Sequence, residues 1–275
     1  MKSRVAGSIV LYNNDVQELK EAIQSFLRST LVESLYLIDN SPQDDLKFLK
    51  DLDVRIIYIF NPSNPGFGAA HNIALREAIE KKIQYHLVLN PDVYYTDDVI
   101  ESLVNYMDIH HEIGNIMPKI LYPDGSLQYL AKLLPTPYDW IGRRFNPFKK
   151  MVNARNEVFE LRFTNYENIM DVPYLSGCFM FLNVKALEKV GLFDDGIFMY
   201  GEETDLCRRL IEADFRTVFY PEIKIYHHFK KGSHKSWRLT KIGIQSAIYY
   251  FNKWGWFFDS QRKKINNKTL KDLRR

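Results

Sequence analysis

Short apolar runs alternate with amphipathic stretches through the first part of the chain. Residues 5–11 (Val-Ala-Gly-Ser-Ile-Val-Leu) form a run suited to a buried parallel strand. Asn14 or Asp15 can cap a helix whose apolar positions Val16, Leu19, Ile23, Phe26 and Leu27 fall three and four residues apart. Two further runs, 34–38 and 55–60, end on Asp39-Asn40-Ser41-Pro42 and Asn61-Pro62-Ser63-Asn64-Pro65-Gly66, which is turn chemistry. A helix expected over 69–82 leads to the strand 86–89, which runs straight into Asn90-Pro91-Asp92. Thr96 or Asp97 opens another helix through Tyr106. This alternation predicts an α/β chain with an open, mostly parallel sheet covered on both faces. Ligands of such sheets bind beyond the carboxyl ends of the strands, where Asp39, residues 64–68 and Asp92 fall. Residues 135–171 break the pattern. Three prolines and the basic group Arg143, Arg144, Lys149 and Lys150 read there as a mobile loop or flap. A buried strand resumes at 177–182.

The length of 275 residues suits one large α/β domain, and 46% hydrophobic with 26% charged residues is ordinary for a packed core. Cys178 and Cys207 make neither a metal spacing nor a disulfide framework, so reduced thiols are expected. No run of about 18 apolar residues exists to span a bilayer, and the apolar segment near the N-terminus is too short for a signal peptide. A cytoplasmic protein is expected. The formal charge of +3 conceals an asymmetry. From Lys230 onward 13 basic residues face only Asp259 and Asp272, whereas the preceding 229 residues carry 24 basic and 32 acidic groups. A basic end of this kind seeks polyanions, and its interleaved aromatics point to an anionic membrane surface. No nucleic-acid motif accompanies it.

The densest chemistry lies at Phe193–Leu210. Glu202, Glu203 and Asp205 fall where a glycine-bearing segment becomes helical, in a first turn whose positive end favours ionised carboxylates. A capping cluster would look the same. Pro91 stops a strand so that Asp92 projects, able to bind a divalent cation that also touches phosphate oxygens. The stretch 64–72, with Gly66 and Gly68, lets backbone approach a ligand closely but lacks a dinucleotide fingerprint. His227 and His228 close a short apolar strand, as either metal ligands or structural groups. Ser233, His234 and Lys235 follow in a loop suited to phosphate.

Taken in register, these motifs resemble family 2 glycosyltransferases, in the branch of the bacterial rhamnosyltransferases. The markers are Asp39-Asn40, Asn64-Pro65-Gly66-Phe67-Gly68 with Asn72, Leu89-Asn90-Pro91-Asp92, Pro123-Asp124-Gly125-Ser126, Leu175-Ser176-Gly177-Cys178, the 193–208 segment and His227-His228. The resemblance implies a single GT-A domain over 1–232. Its nucleotide-sugar half covers about 1–125 and its acceptor half about 126–232, with a basic aromatic helical tail at 233–275. It implies that Asp39 binds the base with Tyr12 beside it. Asn64, Gly66, Phe67, Asn72, Asn90 and Lys235 would complete the nucleotide-sugar site. Asp92, with Asn90 in place of a first Asp, and His227 would hold Mn²⁺ or Mg²⁺. Glu203 would be the catalytic base, accompanied by Glu202 and Asp205. The implied reaction is inverting transfer of L-rhamnose from a deoxythymidine diphosphate donor to a glycan or lipid-linked acceptor. A uridine diphosphate-linked hexose or galactofuranose is the alternative donor. A nucleotidyltransferase would need a basic glycine-rich loop that residues 5–14 lack. A binding relic is argued against by retention of Asp92, Glu203 and His227.

Overall fold

The computed structural model describes residues 4–229 and 237–274. Nine strands build one sheet in the order β3-β2-β1-β4-β10-β6-β11-β5, with β8 also on β11. They are β1 (Val5–Leu11), β2 (Val32–Asp39), β3 (Ile56–Phe60), β4 (Tyr85–Leu89), β5 (Val93–Tyr94), β6 (Ile113–Leu121), β8 (Met170–Asp171), β10 (Phe179–Asn183) and β11 (Arg216–His227). The first four run parallel. β10 is antiparallel to both β4 and β6, a reversal in the middle of the sheet that its apolar run alone could not reveal. β7 (Ala131–Lys132) and β9 (Tyr174–Leu175) form a separate two-stranded sheet, with Lys132 opposite Tyr174.

Helices α1 (Val16–Leu27), α2 (Phe67–Glu80), α3 (Val99–Ile109), α6 (Val184–Val190) and α7 (Glu202–Glu212) cover the sheet. Asp15 caps α1 by accepting from the backbone N–H groups of Gln17 and Glu18. The segment expected as a flap instead holds a π-turn at Tyr138–Gly142, then α4 (Arg143–Phe145) and α5 (Lys149–Phe159). Only Phe159 of α5 is buried, so the sequence carried no apolar stripe to betray the helix. Ion pairs hold it: Arg155 to Asp139 at 2.6 Å, and Arg143 to Glu160 at 2.9 Å.

The C-terminal segment contains α8 (Trp237–Trp254) and α9 (Ser260–Leu273). Rather than hanging free, both pack on the domain. Ala247, Tyr250 and Phe251 are buried together with Trp140, Ile141, Trp254 and Trp256 against them. Arg208 of α7 makes a buried two-pronged pair with Asp259, at 2.6 and 2.9 Å. Asn266 exchanges hydrogen bonds with the backbone of Leu134 at both ends of its amide. Within the segment, Lys253 pairs with Asp194 and Asp205, and Arg262 lies 3.9 Å from Asp259. Among the described residues, no helix is long and apolar enough to cross a membrane.

Candidate active site

The pairing of β5 with β11 sets Val93 opposite His227 and Tyr94 opposite Tyr226. That register carries Asp92 across the chain to His227. Asp92 Oδ1, buried and without a hydrogen-bond partner, lies 3.3 Å from His227 Nε2. Adjacent ligands on an octahedral cation are about 3 Å apart, so this spacing fits Mg²⁺ or Mn²⁺. The rest of the imidazole is oriented for that use. Gln128 donates its amide N–H groups to the carbonyls of Leu121 and His227. Its oxygen therefore faces His227 Nδ1 at 3.0 Å and accepts the proton there. The Nε2 side faces Asp92, and a cation bound there would displace the ring's other proton. Burial opposes charge on the ring, but the adjoining Cys178 and Asp92 outweigh it and raise the imidazole pKa to about 10. Burial likewise works to raise Asp92, and His227 more than offsets it, leaving the carboxyl below its ordinary range. His228 turns away, its ring tilted against Tyr94 at 5.0 Å between centroids and its Nε2 3.9 Å from Glu21. Among the described residues, no cluster of three or more His, Cys, Asp or Glu is arranged to hold a metal.

Glu203 enters from the other side. A Cβ placed on Gly177 would lie 3.5 Å from Glu203 Cβ and 3.7 Å from the Phe67 ring. The next residue, Cys178, accepts from the Asn90 backbone N–H at 2.9 Å and adjoins His227. The Gly177–Cys178 corner therefore joins Phe67, Asn90, Asp92, Glu203 and His227 into one neighbourhood. Glu203 Oε1 accepts from the Tyr174 hydroxyl at 3.0 Å, and Oε2 from the Gly201 N–H at 2.9 Å. Burial raises its pKa above the ordinary Glu range. Glu202 is raised much further, by burial first and then by the charge of Glu203, and its Oε2 has no partner. Both carboxyls therefore hold protons more tightly than an ordinary Glu, Glu202 the more strongly of the two.

Two glycines set this approach. Gly66 has φ +105°, and a Cβ there would fall 2.2 Å from the Phe198 carbonyl oxygen, which accepts from the Phe67 N–H. Gly201 has φ +119° and lies against the Trp140 ring.

At the carboxyl ends of β1–β3 an amide chain ties the strands together. Asn61 donates to Asn40 at 2.8 Å, and Asn40 donates to Asn64 at 3.3 Å. Asp39 is fully buried, accepting from the Ser41 N–H at 2.9 Å, with the Tyr58 hydroxyl 2.7 Å from its other oxygen. Tyr12 stands half-exposed on the same rim. Two residues expected near the ligand are committed elsewhere. Asn72 gives its amide N–H to the Phe193 carbonyl and to Asp195, and its oxygen accepts from the Phe193 N–H. It holds the loop before α7. Asp205 is fully buried on the opposite face of α7, bonded to Arg209, Lys253 and Trp254. Lys235 lies outside the described residues. Tyr174, Lys132 and Gln128 were not anticipated. Only Gln128 left a trace, since it follows the Asp124-Gly125-Ser126 turn whose Ser126 N–H and hydroxyl bond Asp124.

Residues 8–191 match the model of glycosyl transferase family 2. The chain belongs to that family. The N-acetylglucosaminyl-diphospho-decaprenol L-rhamnosyltransferase of Mycobacterium tuberculosis is 27% identical over 60% of the chain and 56% of its own length. Rhamnosyltransferase WbbL of Escherichia coli K12 is 26% identical over 59% of the chain and 61% of its length. The chain thus spans little more than half of these curated relatives. Among solved structures of glycosyltransferases, GalNAc-T7 with UDP, GalNAc and Mn²⁺ superposes with a TM-score of 0.60 at 17% identity, over 81% of the chain and 42% of that protein. The mannosyltransferase PcManGT of Pyrobaculum calidifontis, with GDP-Man and Mn²⁺, gives 0.57 at 13% identity, over 90% and 65%. The fold of this family 2 member is the GT-A fold expected from its motifs.

Proposed function

We propose that this chain is an inverting, divalent-cation-dependent glycosyltransferase. It moves L-rhamnose from deoxythymidine diphosphate rhamnose to a glycan or lipid-linked acceptor, at the cytoplasmic side of bacterial surface-polysaccharide synthesis. The observation carrying this reading is the meeting of Asp92, His227 and Glu203 about Gly177–Cys178. A cation held by Asp92 Oδ1 and His227 Nε2 would neutralise the departing diphosphate. Asp39, Tyr12, Asn64, Gly66 and Phe67 form the rim against which the nucleotide lies. Asn72 acts one step back, fixing the 193–195 loop.

Each Glu203 oxygen accepts one hydrogen bond and keeps a second lone pair, so the carboxylate can take the acceptor hydroxyl's proton. Attack on the face opposite the leaving diphosphate inverts the anomeric centre, and no covalent sugar–enzyme intermediate is needed.

The test is a thermal-melting panel with Mn²⁺, followed by a transfer assay. A ligand bound only by the folded state at 100 times its Kd adds about 2.7 kcal/mol. The expected result is stabilisation by deoxythymidine diphosphate rhamnose beyond that by uridine diphosphate hexoses, lost on chelation. Stabilisation by the hexose donors alone would replace rhamnose. Pyrophosphate release from a sugar 1-phosphate and nucleoside triphosphate would replace the reaction class.

A further inference from the structure

The segment joining the two sheets carries a surface feature unrelated to the chemistry above. Between Asp139 and Glu157 the sequence has no acid, and between Glu222 and Asp259 it again has none. The fold brings these two stretches together. Arg144 donates to the Thr240 hydroxyl at 2.7 Å, and Trp140, Ile141 and Phe145 line a pocket with Leu239, Gly243 and Ile244. Along the same segments large apolar side chains stand in solvent: Phe145 at the pocket is 56% exposed, Phe148 and Met151 just after it 66% and 61%, and Trp237 at the start of α8 83%. Lys149, Lys150, Arg238 and Lys241 are exposed among them. Elsewhere the molecule neutralises its cations with acids, as at Arg208–Asp259 and Arg216–Asp171. Among the described residues, no acid pairs with Lys149, Lys150, Arg238 or Lys241 here.

We infer that this face, built from α4, α5 and the start of α8, docks on an anionic lipid bilayer. Apolar side chains projecting among unmatched lysines suit a membrane interface, where the rings and the thioether enter the headgroup boundary and the ammonium groups meet lipid phosphates. A polynucleotide would use the cations but leave the exposed Met151 thioether and the Ile141, Leu239 and Ile244 side of the pocket uncovered. The pocket is also lined by Tyr200, two residues before Glu202. Docking would thus hold the loop that leads into α7 near the membrane surface, where a lipid-linked acceptor resides. The surface belongs to the body of the domain. Of the aromatic tail expected to meet the membrane, only the start of α8 contributes, because Tyr250, Phe251 and Trp254 are spent on packing.

Flotation of the full chain with vesicles tests this without any transfer assay, so its outcome is independent of donor and reaction. Vesicles of phosphatidylcholine containing about one third phosphatidylglycerol, near 0.1 M salt where the screening length is about 10 Å, should carry the protein up. Pure phosphatidylcholine should carry far less. Lys149→Glu with Lys150→Glu should reduce partition at least about 25-fold, roughly fivefold for each lysine lost. Phe148→Ser with Met151→Ser should reduce it roughly tenfold. These residues are exposed, so melting temperatures should match the parent chain. Lys47→Glu with Lys50→Glu, in the 3-10 turn packed on β3 at the far sheet edge, makes the same charge change and should leave flotation intact. Absence of flotation by the parent chain would overturn the assignment. So would equal loss in the Lys47/Lys50 control, or displacement from vesicles by an equal mass of RNA.

Discussion

Two faces of α7 bury carboxylates only two residues apart in sequence, and the fold treats them in opposite ways. Toward α8, Asp205 is fixed by Arg209 at 2.8 Å, Lys253 at 2.8 Å and the Trp254 indole N–H at 2.8 Å. Toward the sheet, Glu203 meets only neutral donors, the Tyr174 hydroxyl and the Gly201 N–H. The first arrangement consumes a carboxylate's basicity in charge pairs. The second leaves burial in command, so the group keeps an appetite for protons. The face toward the sheet, where Lys132 acts on Glu203 only through space, is the one proposed for chemistry, and the other face anchors the C-terminal helices.

The strongest way to break this comparison is to neutralise each carboxylate in turn. Glu203→Gln should lower turnover by at least ~10²–10⁴-fold while nucleotide-sugar binding, read by calorimetry, stays intact. Near-normal turnover would remove Glu203 from the mechanism. Asp205→Asn should do the reverse. It removes one charge partner from Lys253, which keeps Asp194, and from Arg209, which keeps the Val190, Gly191 and Leu192 carbonyls, costing about 1–3 kcal/mol in denaturant unfolding while each folded molecule retains most of its activity. Large activity loss without destabilisation would return Asp205 to the catalytic set.

Tyr174→Phe sharpens the comparison at smaller scale. The hydroxyl stabilises the ionised form of Glu203, so its removal should raise the Glu203 pKa further. The acid limb of the kcat/KM profile should then move to higher pH, with turnover at its plateau falling only severalfold. An unmoved limb would show that the limb belongs to another group.

The smallest effect is on stability. Buried Ser8 Oγ lies 2.7 Å from His71 Nδ1 and 2.8 Å from His86 Nε2, and both rings lie wholly inside. Burial depresses both histidines, His86 to about 3. Between pH 6.5 and about 3 the unfolded chain binds more protons than the folded one, so stability must fall as pH drops through that window. Ser8→Ala with His86→Leu should flatten this decline in urea titrations.

The parallel strands β1–β4, the turn chemistry at their ends and the Asp15 cap were legible because period and turn residues are local properties. The motif spacings were enough to carry the family. Helix α5 was not legible, since a helix held by Arg155–Asp139 and Arg143–Glu160 has no apolar stripe to display. Nor could counting charges after Lys230 distinguish cations that project from cations already engaged.

The sequence by itself determined the alternation of elements, the identities of the carboxylates and imidazoles, and the strand ends on which several of them fall. The tertiary structure decided their roles. Asp92 meets His227 only because β5 pairs with β11, and Gln128 fixes the ring's proton only because its own amide is pinned. Glu203 and Asp205 look alike in one dimension. Their difference arises from which charged or neutral donors the fold packs around each, and that depends on contacts between residues distant along the chain.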